Sequence, residues 1–509
     1  MASMTSSDGA TICVVVGRTR HKMMQIEIQE AGKRGARLIE VRLDFLAKAP
    51  DFGRLLEIKP CPMIATVRRA PDGGRWSGTE EERLVLLRQA IAAGFDWVDL
   101  ETDVIDSVPR FKDVKRIVSY HNLREIPDDI EDIHAGMCRQ DADVVKIAVT
   151  AHHPTDVVYM LDLIRNSPKP LVGICMGELG VASRILGGRA GAPFTYAAFN
   201  RERSMAPGML TFDDMRKVYH YEEVNATTTV YGVIGDPVAH SLSPLIHNRS
   251  FRELGINAVY VPFRVPRGEL PLFLKEFQAV PVQGYSVTLP HKETAATLPG
   301  EKDTVVAAIH AANTLLRNEN GWRLSNTDVP AAADSIRAAL SPDDAHPADL
   351  QAHTALILGA GGVARAVAHA LHREGAAVII ANRTLERAQR LAEETGCRVA
   401  EWATRHNVTC DMLINCTSVG MYPNMDESPV HHSALKPGLF VFETIYTPEQ
   451  TLLVKEAKAR ECKVLTGVDM FVRQAALQFE LFTGRQAPLE VMRTVVRRAL
   501  SPVAIRDEG

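Results

Sequence analysis

From Thr11 onward the chain alternates short apolar runs with longer segments whose apolar positions recur at helical spacing. The runs are TICVVVG, ARLIEVRLDF, PMIATVR, WVDLET, RIVSYH, VVKIAV, PLVGICMG and FTYAAF. Strands alternating with helical patterns predict parallel βαβ units, and eight units in about 220 residues predict a (β/α)8 barrel. An open doubly wound sheet is the alternative for this half. FDDMRKVYHYEE reads as the last barrel helix, and the polar VNATT as a linker, placing a boundary near 224.

The pattern then changes. GDPVAHSLSPLIHNRSFRELG puts Ser243 at a helix N-cap with Pro244 at the first helical position and Ser241 in the preceding loop. AVYVPFRV, VQGYSVTLPHK, a hairpin NTLLRNENGWRLSNTD with an Asn-Gly turn, and a helix VPAAADSIRAAL follow. The polar stretch SPDDAHPADLQAH leads to ALILGAGGVARAVAHAL and AVIIANRT, a buried strand, a glycine turn, a helix and a second strand. Gly359 permits the tight turn, Gly361 lets backbone N–H groups approach a pyrophosphate, and Ala364 lets helix pack on strand. Ala360, Gly362 and Val363 complete the turn. An NAD site usually ends its second strand with an acid for the ribose 2′-hydroxyl; here Asn382, Arg383 and Thr384, with Arg387 beyond, offer donors and cations suited to a 2′-phosphate. The expected cofactor is NADP(H). VDMFVRQAALQFELFTG and PLEVMRTVVRRAL have helical spacing and are expected to pack back across both lobes.

A chain of 509 residues exceeds one hydrophobic core. The boundaries expected are a barrel over 11–223, a substrate-binding domain over 228–345, a Rossmann domain over 350–465 and C-terminal helices over 466–502. A formal charge of -4 with dispersed Lys and Arg disfavours nucleic acid, and no apolar run approaches membrane-spanning length. Eight scattered cysteines without C-x-x-C pairs fit reduced thiols in the cytoplasm and give no metal-ligand spacing. The polar start MASMTSSDGA lacks the cationic and apolar regions of a signal peptide and is left out of the fold reading.

The polar residues of the first eight strands fall toward their C-terminal ends: Glu40 and Arg42, Arg68, Glu101, His121, Lys146, and Met176 with Gly177. In a barrel that end is the active-site rim. Lys146 lies within VVKIAV, where a cation is costly unless paired or deprotonated. A neutral amine there is a nucleophile toward a carbonyl. His121, one strand earlier, could exchange protons beside it, and Glu101 could hold the imidazole.

IEVRLDF, VDLET, SYHN, VVKIAV, CMGELGVASRI and MAPG, in this order, resemble type I 3-dehydroquinate dehydratase across nearly the whole first domain. The resemblance implies that Lys146 forms an imine with the C3 carbonyl of 3-dehydroquinate, which acidifies the C2 hydrogens. It implies that His121 removes that proton and then protonates the departing C1 hydroxyl, with Glu101 orienting it. Glu40, Arg42 and Arg68 are implied to contact substrate hydroxyls and carboxylate, Met176 to pack on the ring, and Arg184 to clamp the carboxylate. The family's lid reads S-A-P-G-Q, whereas Met205 and Met209 stand at the two polar positions here. Two contacts of about 0.5–1.5 kcal/mol each would be lost. The expectation is retained chemistry with weakened lid closure.

Ser241 and Ser243, VTLPHK, AANT, NTD, GAGG, NRT, NCTSVGM and RQAALQFELFTG resemble shikimate dehydrogenase over the whole second half. That resemblance implies that Ser241, Ser243 and Gln474 bind the shikimate ring and carboxylate, with Thr288, Asn313 and Tyr446 nearby, and that Lys292 and Asp328 form the catalytic pair. Asp328 also falls where the N-cap of the following helix is expected. Asn415, Thr417, Ser418, Gly420 and Met421 are implied to flank the nicotinamide end, and Gly467 to touch the cofactor. Ser286 and Glu443 stand where asparagine and aspartate are common in that family. The two resemblances imply a fused enzyme in which the first half makes 3-dehydroshikimate and the second reduces it to shikimate. The alternative is a quinate/shikimate dehydrogenase whose barrel is weakened and only binds ligand.

Overall fold

The computed structural model describes residues 10–341 and 348–500. Most of MASMTSSDGA, much of the polar stretch after Ser341 and the last residues of the expected C-terminal segment lie outside the described residues. Two compact units are present: residues up to 232 with 238–244 and 257–282, and the remainder.

The first unit is built on β1 (Thr11–Val16), β2 (Leu38–Arg42), β3 (Met63–Thr66), β4 (Trp97–Glu101), β5 (Lys115–Asn122), β6 (Val144–Thr150), β7 (Leu171–Met176) and β8 (Phe194–Ala198). Every ladder is parallel, in the order β7-β6-β5-β4-β3-β2-β1-β8, so the strands form a nearly closed barrel and not an open doubly wound sheet. Period-two alternation explains what fills it. Cys13, Leu38, Ile64, Trp97, Ile117, Val144 and Phe194 form an apolar interior cluster toward the N-terminal ends of their strands. Two residues later the same faces carry Glu40, Thr66, Asp99, Ser119, Lys146 and Tyr196, all buried. The barrel thus has an oily floor under a polar layer.

The expected last barrel helix is shorter than its spacing suggests. Asp214–Val218 forms one stretch of π-helix, followed by a 3-10 turn at Tyr221–Glu223. Thr211 receives and returns hydrogen bonds with Asp214, which fixes its start.

Next come β9 (Thr229–Gly235), β10 (Ala258–Arg264), β11 (Val282–Val287), β12 (Glu301–Lys302), β13 (Thr314–Asn318) and β14 (Gly321–Ser325). β11 and β13 are antiparallel, as are β13 and β14, and β12 runs parallel to β14. Asn318 pairs with Gly321, so the hairpin loop is Glu319–Asn320 and Gly321, at φ +124, opens β14. The expected turn is present, one residue earlier than its Asn-Gly pair. The helix Ser243–Glu253 takes in Ser243 as its first residue, and Ser241 Oγ accepts the Ser243 N–H at 3.2 Å. Ser241 Oγ thus takes up a backbone N–H at the start of this helix.

β15 (Thr354–Leu358), β16 (Ala377–Asn382), β17 (Arg398–Glu401), β18 (Met412–Asn415), β19 (Phe440–Glu443) and β20 (Lys463–Thr466) form a parallel sheet in the order β17-β16-β15-β18-β19-β20. That is the doubly wound order, with its reversal between β15 and β18. The helix Gly362–Arg373 buries Ala364, Ala366, Val367, Ala370 and Leu371. The helix Gly467–Thr483 packs on β13, β20 and the helix Asp328–Leu340, and carries the helix Leu489–Leu500 beside it.

Candidate active sites

In the barrel, Lys146 Nζ lies 3.0 Å from Asp99 Oδ2 and 3.5 Å from Glu40 Oε1, and sits 4.1 Å above the centre of the Tyr196 ring. Asp99 also pairs with Arg68 Nη2 at 2.8 Å and accepts from Ser119 Oγ at 2.6 Å. Burial opposes its ionisation, but the Arg68 and Lys146 cations, with the Ser119 hydrogen bond, outweigh that and hold the Asp99 carboxyl well below the usual range. His121 behaves oppositely. Burial, reinforced by the Arg68 and Lys146 cations, pushes its imidazole well below the ordinary value, so it is neutral and able to accept a proton. His121 and Lys146 line one pocket with Glu40, Arg42, Arg68, Met176, Arg184 and Tyr196.

Glu101 does not have the partner expected of it. Its two oxygens accept from Arg68 Nη1 and Arg83 Nη1, each at 2.7 Å, while His121 Nδ1 has no hydrogen-bond partner. Arg83, fully buried on the helix Glu80–Ala93, and Arg68 hold one Glu101 oxygen each. Glu101 thus fixes Arg68, which in turn pairs with Asp99. Asp72, held by Arg69 Nε at 2.7 Å, lines the same pocket as His121. Sequence reasoning passed over Asp99 and Asp72. The signal for Asp99 is in WVDLE, where alternation puts Trp97, Asp99 and Glu101 on one face.

Arg42 is held bidentate by Asp44 at 2.9 and 2.8 Å. Arg184 is 2 % exposed, its Nε is unpartnered, and burial pushes its guanidinium down to about 10. Such a buried, unneutralised cation is suited to a carboxylate. The stretch Met205–Met209 covers this rim: Gly177 N–H donates to Pro207 O, and Gly208, at φ +70, comes so close to Gly177 O that a Cβ would lie 2.3 Å from it. Met205 Sδ is 3.7 Å from Arg42 Nη1, and Met205, Ala206 and Met209 pack on the barrel's interior cluster.

In the second unit Lys292 Nζ lies 2.7 Å from Asp328 Oδ2. Asp328 is the first residue of its helix, but the backbone N–H groups of Asp328 and Val329 donate to Asn326 Oδ1, at 2.9 and 3.3 Å. Asn326 does the capping, which leaves the Asp328 carboxylate to the lysine and corrects the expected cap. Asn313 donates to Thr327 Oγ1 and accepts the Thr327 N–H, so it braces the residue before Asp328. Thr327 Oγ1 reaches Gln474 O, and Tyr446 stacks on Phe471 with ring centres 4.4 Å apart. Ser286 donates to Gln478 Oε1, a buried contact that sequence reasoning did not anticipate. Thr288 is half-buried at the end of β11; Ser243 is buried and Ser241 half-buried in the other unit.

The residues of the dinucleotide turn fit a bound dinucleotide. Gly359, at φ +111, lies so near Cys416 O that a Cβ would stand 2.8 Å from it. Gly361, N-cap of the helix Gly362–Arg373, faces open space, and Gly362 faces the Lys292 side chain at 3.2 Å from where a Cβ would be. Ala360 and Val363 are half-buried and Ala364 is buried. Arg383, Thr384 and Arg387 are exposed past the end of β16, and Asn382 Nδ2 donates to Thr384 O. At the end of β18, Asn415 Oδ1 accepts from Thr417 N and Oγ1, while its Nδ2 donates to both oxygens of Glu443. Ser418 O accepts the Met421 N–H, and Gly420 carries φ +105. Gly467 begins its helix where a Cβ would meet Thr444 O at 2.4 Å.

Four family models match the chain: type I 3-dehydroquinase over 12–226, the shikimate dehydrogenase substrate binding domain over 233–315, shikimate/quinate 5-dehydrogenase over 343–422, and the shikimate 5′-dehydrogenase C-terminal domain over 467–497. The chain is 37% identical over 505 residues to the chloroplastic bifunctional 3-dehydroquinate dehydratase/shikimate dehydrogenase of Arabidopsis thaliana, covering 94% of this chain and 83% of that protein. It is 40% identical over 285 residues to the NADP+ shikimate dehydrogenase of Methanopyrus kandleri, 54% of this chain and 96% of that one. Among solved structures, a shikimate dehydrogenase crystallised with NADP+ matches with a TM-score of 0.51 and 34% identity, covering 54% of this chain and 97% of its own. The shikimate dehydrogenase of Aquifex aeolicus matches with a TM-score of 0.50, 34% identity, and coverage of 54% and 99%. A barrel with a buried lysine, a parallel sheet with a glycine turn, and a relative aligned through both place this chain in the family of bifunctional 3-dehydroquinate dehydratase/shikimate dehydrogenases.

Proposed function

We propose that the barrel dehydrates 3-dehydroquinate to 3-dehydroshikimate and that the second half reduces this product to shikimate with NADPH. The observation that carries the reading is that one chain holds two separate lysine–carboxylate centres, Lys146 with Asp99 inside the range matched by the 3-dehydroquinase family, and Lys292 with Asp328 in the half whose matches are to shikimate dehydrogenase families.

As Lys146 attacks the C3 carbonyl, its ammonium proton passes to the carbonyl oxygen, a second proton follows from the nitrogen so that the oxygen leaves as water, and the imine keeps the third. The resulting imine acidifies C2. His121, neutral because it is buried beside cations, takes the C2 proton, and the electrons left behind expel the C1 hydroxyl, which departs with that proton. Hydrolysis of the imine releases product and restores Lys146, so the net change is loss of one water. Glu40, Arg42 and Arg68 take hydroxyls and carboxylate, Arg184 the carboxylate, and Met176 the ring face; Glu101 acts through Arg68.

NADPH, when bound, supplies the hydride for the C3 carbonyl. The backbone from Gly359 to Ala364 would hold its pyrophosphate, Asn382, Arg383, Thr384 and Arg387 its 2′-phosphate, and Asn415, Thr417, Ser418 and Gly467 its nicotinamide end. Lys292, held by Asp328, gives a proton to the oxygen as negative charge grows there. We assign substrate-contacting roles in this reaction to Ser241, Ser243, Thr288, Asn313, Tyr446 and Gln474, each on the family resemblance. We divide the chain accordingly into 11–223, 228–345, 350–465 and 466–502. No helix among the described residues is long and apolar enough to cross a membrane. On its eight scattered cysteines, which lack C-x-x-C pairs, we assign the chain to the reducing cytoplasm.

Lys146→Ala should abolish dehydration and leave reduction intact, while Lys292→Ala should do the reverse. Borohydride added with 3-dehydroquinate should fix the ligand on Lys146. Trapping elsewhere, or one variant losing both reactions in a folded chain, would overturn the assignment of a separate reaction to each half.

A further inference from the structure

Four buried polar atoms of residues lining the barrel pocket make no hydrogen bond: Arg68 Nη2, which is ion-paired with Asp99 Oδ2 at 2.8 Å, and His121 Nδ1, Arg184 Nε and Tyr196 Oη, which have no such pairing. The other cationic donors there are committed, Arg42 to Asp44, Arg68 to Asp99 and Glu101, and Lys146 to Asp99. Buried polar atoms are nearly always satisfied, so an unsatisfied one lining a pocket marks a contact that a ligand completes. His121 and Arg184 already have such a contact under the proposed function. Tyr196 does not.

The residue is 3 % exposed on β8, in register with Cys13 of β1, and its ring lies against Phe194 edge-on at 5.5 Å. These neighbours fix the ring, while Lys146 Nζ stands 4.1 Å over its centre. The phenol oxygen is therefore carried by the same ring that the attacking amine rests on. We propose that Tyr196 is a substrate-contacting residue of the dehydratase site, its hydroxyl donating a hydrogen bond to the oxygen on the carbon that Lys146 attacks.

This rests on the proposed imine chemistry. As the C–N bond forms, the C–O π bond breaks and charge grows on that oxygen. The oxygen then leaves as water with the two protons given up by the lysine nitrogen. The phenol stabilises it throughout and keeps its own proton. Burial first, then Glu40, Cys13 and Asp99 nearby, hold the phenol well above its ordinary value, which keeps it a neutral donor. A lid with thioethers at Met205 and Met209 supplies no hydrogen-bond donor from those side chains. A fixed phenol on the barrel wall supplies one.

Tyr196→Phe in the full chain removes the hydroxyl and keeps the ring. The rate of borohydride trapping with 3-dehydroquinate, measured in a single turnover, should fall at least tenfold, with a similar fall in dehydratase kcat/KM. Dehydrogenase turnover should stay unchanged, and the ligand-free chain should melt no lower than its parent, since a hydroxyl without a partner has been removed. A fall of less than threefold in the trapping rate overturns the inference. If the parent chain itself is not trapped on Lys146, the proposed dehydration fails and not only this contact. Should Tyr196→Phe not fold, 3-fluorotyrosine at position 196 makes the hydroxyl a stronger donor within the same ring; a trapping rate changed twofold or more supports the contact, and a smaller change overturns it.

Discussion

Lys146 and Asp99 form a buried ion pair, with Nζ 3.0 Å from Oδ2 and neither side chain more than 7% exposed. Asp99 also neutralises Arg68. Removing one member of such a set leaves charge buried without compensation, a loss of about 3–5 kcal/mol. Asp99→Asn should therefore lower the melting transition of the barrel and cut dehydratase kcat/KM more than tenfold, with dehydrogenase turnover retained. An unchanged melt and unchanged kcat/KM would mean that the pair is dispensable.

Arg383 is exposed beyond β16, and Glu401 is the residue paired opposite Asn382. A charge-assisted hydrogen bond lies near 1.5–3 kcal/mol, and solvent exposure favours the lower end. Arg383→Ala should raise the NADPH KM about tenfold while the NADH KM moves little. Equal use of NADPH and NADH by the unaltered enzyme would contradict the 2′-phosphate assignment.

Glu443 is fully buried, and burial pushes its carboxyl up to about 7 against donation from Ile445 N–H, Asn415 and Thr451. The folded chain therefore binds this proton more tightly than the unfolded chain. The group costs nothing below its ordinary value of 4.5, and its cost grows as pH rises toward 7, to at most about 3 kcal/mol. Glu443→Gln should flatten the fall in melting temperature between pH 5 and 7.5 relative to the parent. Identical pH dependence in the two proteins would rule out the shift. Cys416 faces the same carboxylate and its thiol is pushed up by burial, then by Glu443, so it stays neutral through this range.

Met205 and Met209 rest on the barrel's interior cluster and place sulfur, not a strong donor, over the pocket. Restoring Met205→Ser and Met209→Gln together should lower the dehydratase KM, by roughly 5- to 150-fold if both contacts of about 0.5–1.5 kcal/mol return. Steady-state kinetics decide this. A raised KM would mean that thioether packing holds the lid better than hydrogen bonds do.

Eight apolar runs, the glycine turn and the NRT ending were enough to specify two α/β halves and an NADP site, because strand burial and tight turns are local demands on residue type. Lys146 and His121 stood out as candidates for a related reason, since a titratable side chain in an apolar strand is conspicuous along the chain, whereas Lys292 and Asp328 were singled out by the family resemblance. Only the tertiary structure decided which charge faces which. Glu101 lies one strand from His121 yet spends both oxygens on Arg68 and Arg83, the latter from a helix 18 residues earlier. Asp99 became the partner of Lys146 although 47 residues separate them. Asn326, not Asp328, capped the helix and left the carboxylate free for Lys292. Carboxylate pairing depends on a few ångströms between side chains on different elements, and that distance is set by barrel closure and helix packing, which no local pattern encodes.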